Sequence, residues 1–356
     1  MKKHNFSAGP CILYPEVIKG ASEAINNFKE LDLSLLEISH RDKNFVDVME
    51  EVRELSIEIM ALEDDFEVLF LQGGASLQFC MTPYNFMKKN GVAGYSITGT
   101  WAKKAAKEAS LFGEVIEVGT SAEENFNYIP KKLNITKNMD YLHLTSNNTI
   151  VGTQIKDFPN TDIPLVCDMS SDIFSRQINF NQFSLIYAGA QKNIGPAGLT
   201  MVIIRKDLME LENENLPNIL RYSKHSESDS MLNTPPTFAW YMAGKVFKWI
   251  KQSGGLEFFK EQNHLKASTL YNYIDNSEFY SNPVKVENRS IMNVPFILAD
   301  NDLDSVFLKE SEGNGLLNLK GHRSVGGMRA SIYNAMPLEG INELVDFMKV
   351  FEAKYG

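Results

Sequence analysis

The chain has 356 residues, 44% of them hydrophobic and 22% charged, and a formal net charge of −10. That length exceeds one ordinary core and calls for two domains, or one large domain with a lobe. The acidic balance argues against nucleic acid and anionic membrane surfaces as partners, because both select basic protein surface, yet it leaves room for a local basic pocket.

The start, MKKHNFSAGPCILYP, has no long apolar segment, and no later run approaches the ~18 apolar residues of a membrane span. Three scattered cysteines, Cys11, Cys80 and Cys167, form no CxxC pair. Neither a disulfide framework nor a metal site is therefore expected, and a reducing, cytoplasmic setting fits. Asn44–Leu62 carries Phe45, Val48, Met49, Val52, Leu55 and Ile59 at helical spacing, with Asn44 as the expected cap. Phe66–Gln72 reads as an apolar strand, followed by Gly73-Gly74-Ala75-Ser76 and a helical pattern. GVAGYSITGT reads as a strand, then WAKKAAKEASLFG as a helix ended by Gly113. MDYLHLTSNNT and IPLVCDMSSD are strands running into polar loops, and FSLIYAGAQK and LTMVIIR follow.

Near-continuous apolar strands alternating with helices imply a mostly parallel sheet covered on both faces. Polar residues cluster after the strands' C-terminal ends, where open α/β sheets bind ligands. Beyond Gly254 the pattern changes to a smaller α+β unit: strand SIMNVPFILAD, helix DLDSVFLKESEGNGLLNL, strand GGMRASIYNA and a final helix that starts near Pro337.

Several constellations bear on chemistry, and each has a plainer alternative. LQGGASLQF sets a Gly-rich turn before a helix start, which suits phosphate and equally suits a tight turn. Asp168 ends a buried strand, where a carboxylate needs a partner; a cap or ion pair would also serve. Lys192 follows 192 − 168 = 24 residues later, one strand further on. A desolvated lysine is a nucleophile, although most lysines are simply solvated. Together, a strand-end Asp, a strand-end Lys and an upstream anion turn are what pyridoxal phosphate requires. Trp101 can stack on a flat ring or pack in the core. His40-Arg41, His322-Arg323 and Arg329 suit phosphate and carboxylate, or are solvated loop charges. No HExxH, GxSxG or Cys–His arrangement competes.

At YAGAQKNIGPAGLT, Tyr187–Thr200, the chain resembles the phosphoserine aminotransferase family of class V, fold-type I pyridoxal-phosphate enzymes. FSAGPCILYPEV, EISHRDKNF, MLNTPPTFAWYMAG, NRSIMNVPF and KGHRSVGGMRASIYNAMPLEG carry the same resemblance from near residue 5 to the C-terminus. It implies an α/β fold: a large domain over 15–254 with a mostly parallel, seven-stranded sheet, and a smaller α+β domain from 1–14 and 255–356. It implies that Lys192 carries pyridoxal 5'-phosphate, that Asp168 pairs with the ring nitrogen, that Thr149 meets the ring hydroxyl and that Trp101 stacks on the ring. Ala75, Ser76 and Gln191 would hold the cofactor phosphate, joined by Asn233 and Thr234 from the second subunit of a homodimer with shared sites. Arg41, His40, His322 and Arg323 would bind substrate around its phosphate, and Arg329 its α-carboxylate. Some family members have arginine where Ser76 stands here.

The implied reaction is reversible transamination of 3-phosphohydroxypyruvate with L-glutamate, giving O-phospho-L-serine and 2-oxoglutarate in serine biosynthesis. The resemblance also raises 4-phosphohydroxy-L-threonine of pyridoxine biosynthesis as a substrate. Two other readings stand beside it: a different fold-type I enzyme such as a cysteine desulfurase or alanine–glyoxylate aminotransferase, and a non-catalytic protein that binds phosphometabolites. A desulfurase needs a mobile cysteine late in the chain, and the last here is Cys167, on a predicted strand.

Overall fold

A computed structural model describes residues 2–356. In chain order the strands and α-helices begin with β1 (His4–Asn5), α1 (Pro15–Asn26), α2 (Lys43–Met60), β2 (Phe66–Leu71), α3 (Gly74–Phe86), β3 (Val92–Ile97), α4 (Thr100–Ala109) and β4 (Glu114–Thr120). Next come β5 (Tyr141–Thr145), β6 (Leu165–Asp168), β7 (Leu185–Gly189), β8 (Thr200–Arg205), α5 (Lys206–Met209), α6 (Tyr222–Glu227), α7 (Thr237–Gln252) and α8 (Gly255–Asp275). The chain ends with β9 (Tyr280–Ser281), β10 (Asn293–Leu298), α9 (Asp304–Gly313), β11 (Leu316–Leu317), β12 (Met328–Ser331) and α10 (Leu338–Tyr355).

Seven strands form one sheet in the order β2-β8-β7-β6-β5-β3-β4. Strands β4, β3, β5, β6 and β7 run parallel, whereas β8 is antiparallel to both β7 and β2. The sheet is therefore mostly parallel, as expected, with one reversed strand. Its strands β5, β6 and β7 are buried at every position. Alternate residues feed two cores. Leu142, Leu144, Cys167 and Ile186 face the side covered by α1, α2 and α7, and Tyr141, Val166, Leu185 and Tyr187 face the other. A second, antiparallel sheet, β12-β10-β9, has its own core with Phe296, Phe307, Leu344 and Phe351. Strand β1 pairs in parallel with β11, and Phe6 is buried in that same core.

Four local expectations need correction. The cap of α2 is Asp42, whose side chain accepts the Asn44 N–H at 2.8 Å, so Asn44 lies inside the helix. The helix expected over Asp302–Leu319 stops at Gly313; the chain turns at Asn314–Gly315 and continues as the short strand β11. The helix expected to run to Gly113 ends at Ala109. Strand β4 was not anticipated: only Val118 of its seven residues is buried, so it lacks a continuous apolar run. Among the described residues no helix is long and apolar enough to cross a membrane.

Candidate active site

The sheet order locates a crevice. From β3 the chain goes outward to β4, then returns to β5 on the opposite side of β3 and continues to β6 and β7. The strand order thus reverses between β3 and β5, and their C-terminal ends bound the crevice that open α/β sheets use for ligands. A cavity of about 340 Å³ lies there.

Each wall is held by local chemistry. Beyond β2, Gly73 (φ 88°) and Gly74 (φ 64°) turn the chain into α3. A Cβ on Gly73 would sit 2.5 Å from Leu77, so the turn requires glycine. No side chain caps α3, which leaves the amides of its first turn, at Ala75 and Ser76, directed at the cavity with the positive end of the helix dipole. Beyond β3, Gly99 admits the Asn148 amide, which donates to Thr98 O at 2.7 Å; a Cβ there would lie 2.2 Å from Asn148 Nδ2. This close approach draws together the start of α4, with Trp101, and the loop carrying Thr149.

Asp168 is the last residue of β6 and is buried. Its Oδ1 accepts the Ser170 N–H at 2.9 Å. Burial raises the carboxyl above its ordinary range, while the Lys192 charge and the Ser170 hydrogen bonds pull it back. Lys192 follows β7 in a tight turn where its own N–H donates to Ala190 O at 2.7 Å and the Gly195 N–H to the same oxygen at 2.8 Å. Cys11 fastens that turn from the N-terminal arm: its N–H donates to Gln191 O at 3.0 Å and its thiol to Lys192 O. Burial pushes the Cys11 thiol up to about 12, so it is a packing group rather than a nucleophile.

The Lys192 amine donates to Thr149 Oγ1 at 3.0 Å. Burial lowers it to about 8; Asp168 holds it up, and Arg329 pushes it down. At neutral pH such an amine spends about a tenth of its time uncharged, far more than a solvated lysine does. Arg329, on β12, donates through Nη1 to Thr149 O at 3.2 Å, and its buried Nε has no partner. Trp101 Nε1 and Thr145 Oγ1 are likewise buried without partners.

Ala75, Ser76, Trp101, Thr149, Asp168, Gln191, Lys192, His322 and Arg329 line this one cavity. His40, Arg41, Asn233, Thr234 and Arg323 do not. Arg41 is exposed in the turn before α2, and Arg323 is exposed beside His322. Asn233 and Thr234 are exposed before α7, where Thr234 O accepts from Gln72 Nε2 at 2.9 Å.

The sequence reading missed Ser170 and Ser171, which line the cavity directly after Asp168. It also missed Lys104, which sits one helical turn after Trp101 with its Nζ 4.5 Å from the indole centroid. His322 shows how crowded with cations this mouth is: burial lowers its imidazole, and Arg329, Arg323 and Lys104 lower it further. The i, i+3 spacing from Trp101 was the available signal for Lys104.

These residues fit a flat, phosphorylated pyridine aldehyde. The uncapped α3 amides await an anion, and the orphaned Trp101 and Arg329 donors await acceptors. The partly neutral amine of Lys192 and the strand-end carboxylate of Asp168 face the same space. Among the described residues, no group of three or more His, Cys, Asp or Glu is placed to hold a metal ion.

Comparison with known proteins agrees with the geometry. The family model of class-V aminotransferases matches residues 3–344. The phosphoserine aminotransferase of Flavobacterium johnsoniae is 52% identical, covering 99% of this chain and 100% of its own length. The solved phosphoserine aminotransferase of Bacillus circulans subsp. alkalophilus superposes with a TM-score of 0.98 at 46% identity, covering 100% of this chain and 99% of that one. The pyridoxal-phosphate-bound phosphoserine aminotransferase of Trichomonas vaginalis superposes at 0.93 and 37% identity, covering 98% and 100%. With a parallel sheet, a strand-end lysine and carboxylate and full-length similarity in agreement, the chain belongs to the class-V aminotransferases, and among them to the phosphoserine aminotransferases.

Proposed function

We propose that this chain catalyses the reversible, pyridoxal-phosphate-dependent transfer of an amino group between L-glutamate and 3-phosphohydroxypyruvate, yielding 2-oxoglutarate and O-phospho-L-serine for serine biosynthesis. The observation that carries the reading is Lys192: a buried-edge amine lowered to about 8, held by Thr149 and facing the charge of Asp168. When bound, pyridoxal phosphate supplies an aldehyde to take up the amino group and a protonated ring to draw electrons from the substrate Cα–H bond.

The chain's own groups do the rest. The amides of Ala75 and Ser76 and the side chain of Gln191 would hold the cofactor phosphate at the start of α3. Trp101 would lie against the ring, Thr149 would meet its hydroxyl, and Asp168 would favour a proton on its nitrogen. Lys192 Nζ is placed to act as the base that takes the proton from substrate Cα. Arg329 forks onto the α-carboxylate that both substrates share. His322, Arg323 and Lys104 meet the distal phosphate or carboxylate.

The site is completed by a second copy. His40, Arg41, Asn233 and Thr234 lie outside the cavity of their own chain, and Leu31, Leu33 and Leu36, beside Arg41, are 38%, 48% and 61% exposed. Exposed leucines in a cluster suit a surface that another subunit covers. These exposures support a homodimer that lends the residues across its interface. The chain divides into a large domain, 15–254, and a small one, 1–14 with 255–356, supported by the separate core around β10 and α10. Its acidic charge and three unpaired cysteines suit the cytoplasm.

A coupled assay tests the reading. The purified protein should convert O-phospho-L-serine with 2-oxoglutarate and leave serine and alanine largely untouched. Equal turnover of alanine would turn the assignment toward another aminotransferase.

A further inference from the structure

Away from the crevice, a second cavity of about 520 Å³ lies between the N-terminal arm, the end of α7, the start of α8 and the turn from β12 to α10. One wall is aromatic. Tyr14 stacks on Trp249 at 4.5 Å and 12°, Phe259 meets the same indole edge-on at 4.8 Å, and Phe258 is 38% exposed at the rim. Against that wall stands Lys266, only 2% exposed.

Its Nζ donates to Ile332 O at 3.0 Å and Tyr333 O at 2.8 Å. An ammonium has three hydrogens, so one remains without a partner among the described residues. Among the described residues no carboxylate forms an ion pair with it either. Of the other titratable groups lining the cavity, Lys2 is bound to Glu339, Tyr14 is stacked on Trp249, Lys3 is exposed at the lip, and the buried His4 has its Nε2 3.1 Å from Glu343 with neither ring nitrogen hydrogen-bonded. Burial alone lowers Lys266, to about 7, with no charged neighbour acting on it. A buried cation without a counter-ion is costly, and an anion delivered from solution would relieve it.

We propose that this cavity is a second binding site, for a small monoanion that carries a flat apolar ring. The ring lies against Tyr14, Trp249 and Phe259, and the carboxylate takes the free hydrogen of Lys266. The proposal does not depend on the transamination chemistry, because no residue of this cavity lines the crevice.

The test uses the full-length, cofactor-loaded enzyme saturated with O-phospho-L-serine and titrated with 2-naphthoate by calorimetry. Saturable binding is expected, at least tenfold weaker for 2-naphthalenemethanol, which has the ring without the charge. Lys266→Met should weaken naphthoate at least tenfold. Because that variant strands two carbonyls, Trp249→Leu at the half-buried wall serves as a second probe and should weaken both ligands alike. Binding should also take up about 0.5 proton at pH 7, since the anion completes protonation of an amine that is half charged there. Uptake should grow toward pH 8 and vanish toward pH 6, read from the buffer dependence of the heat. No binding, displacement by phosphoserine, equal affinity for the alcohol, or no proton uptake would each overturn the proposal.

Discussion

Replacing Asp168 with asparagine separates two duties of that carboxylate. In the cofactor-free protein, burial lowers the Lys192 amine to about 8, and the Asp168 charge is the largest influence holding it up. An opposite charge at close range accounts for about 1 pKa unit or more, so Asp168→Asn should carry the amine to about 7. At pH 7 the neutral fraction then rises from about 0.09 to about 0.5. Trinitrobenzenesulfonate, which reacts with the neutral amine, should label Lys192 about fivefold faster, the site being read by peptide mapping. Transamination should move the other way. With no anion to keep the ring nitrogen protonated, kcat should fall about 10²- to 10³-fold. The sign of the pH dependence follows: both proteins label faster as pH rises, and the variant's midpoint lies lower. A midpoint that stays at about 8 would refute the electrostatic coupling, and near-normal kcat would remove Asp168 from the ring nitrogen.

Lys192→Ala should lose the visible absorption of the bound cofactor and lower kcat by at least about 10³-fold, as expected for loss of a positioned acid–base group; retained absorption would point to a different amine. Arg329→Lys should raise KM for glutamate and phosphoserine alike, by about 10-fold or more, because a charge-assisted fork is worth about 1.5–3 kcal/mol. Arg323→Ala should raise KM for phosphoserine more than for glutamate, and equal losses would contradict a contact with the phosphate. Lys104→Gln should raise KM for phosphoserine about 2- to 5-fold, the range of an exposed charge pair, with Lys104→Arg restoring it; unchanged kinetics would confine Lys104 to its contact with Trp101.

The pair proposed as catalytic was legible because strand ends announce themselves: apolar runs break at Asp168 and just before Lys192, and parallel sheets present those breaks on one edge. Strand direction was not legible. LTMVIIR is equally apolar whichever way it runs, and its antiparallel pairing with β7 and β2 comes from the short connection through the Lys192 turn. The seam between the two sheets was also hidden. Asn147 donates to Ser171 Oγ and to Asn293 Oδ1, and the Asn334 N–H donates to Asn193 Oδ1 at 3.0 Å, next to Lys192. Asn147, Asn193 and Asn334 lie in loops and Asn293 opens β10, and only the fold shows that these buried groups meet. Arg41 was flagged as half of a basic pair and Thr234 through family resemblance alone, and within one chain neither lines the cavity.

A protein of net charge −10 can hold anions because net charge is felt weakly at a recessed site: beyond a screening length of about 8–10 Å, the distant carboxylates scarcely act. On the proposed function the local set of Arg329, Arg323 and Lys104 would act instead, and their effect on His322 would bear on substrate choice. All three push its imidazole toward the neutral form. A neutral imidazole accepts a glutamate carboxylate without adding another buried charge. A phosphate dianion instead offsets the surrounding cations, so its arrival should draw a proton onto His322. On the proposed function, a histidine able to change its charge would let a single mouth serve distal groups of different charge. An extra fixed arginine could not adjust in this way, since guanidinium stays protonated in either complex.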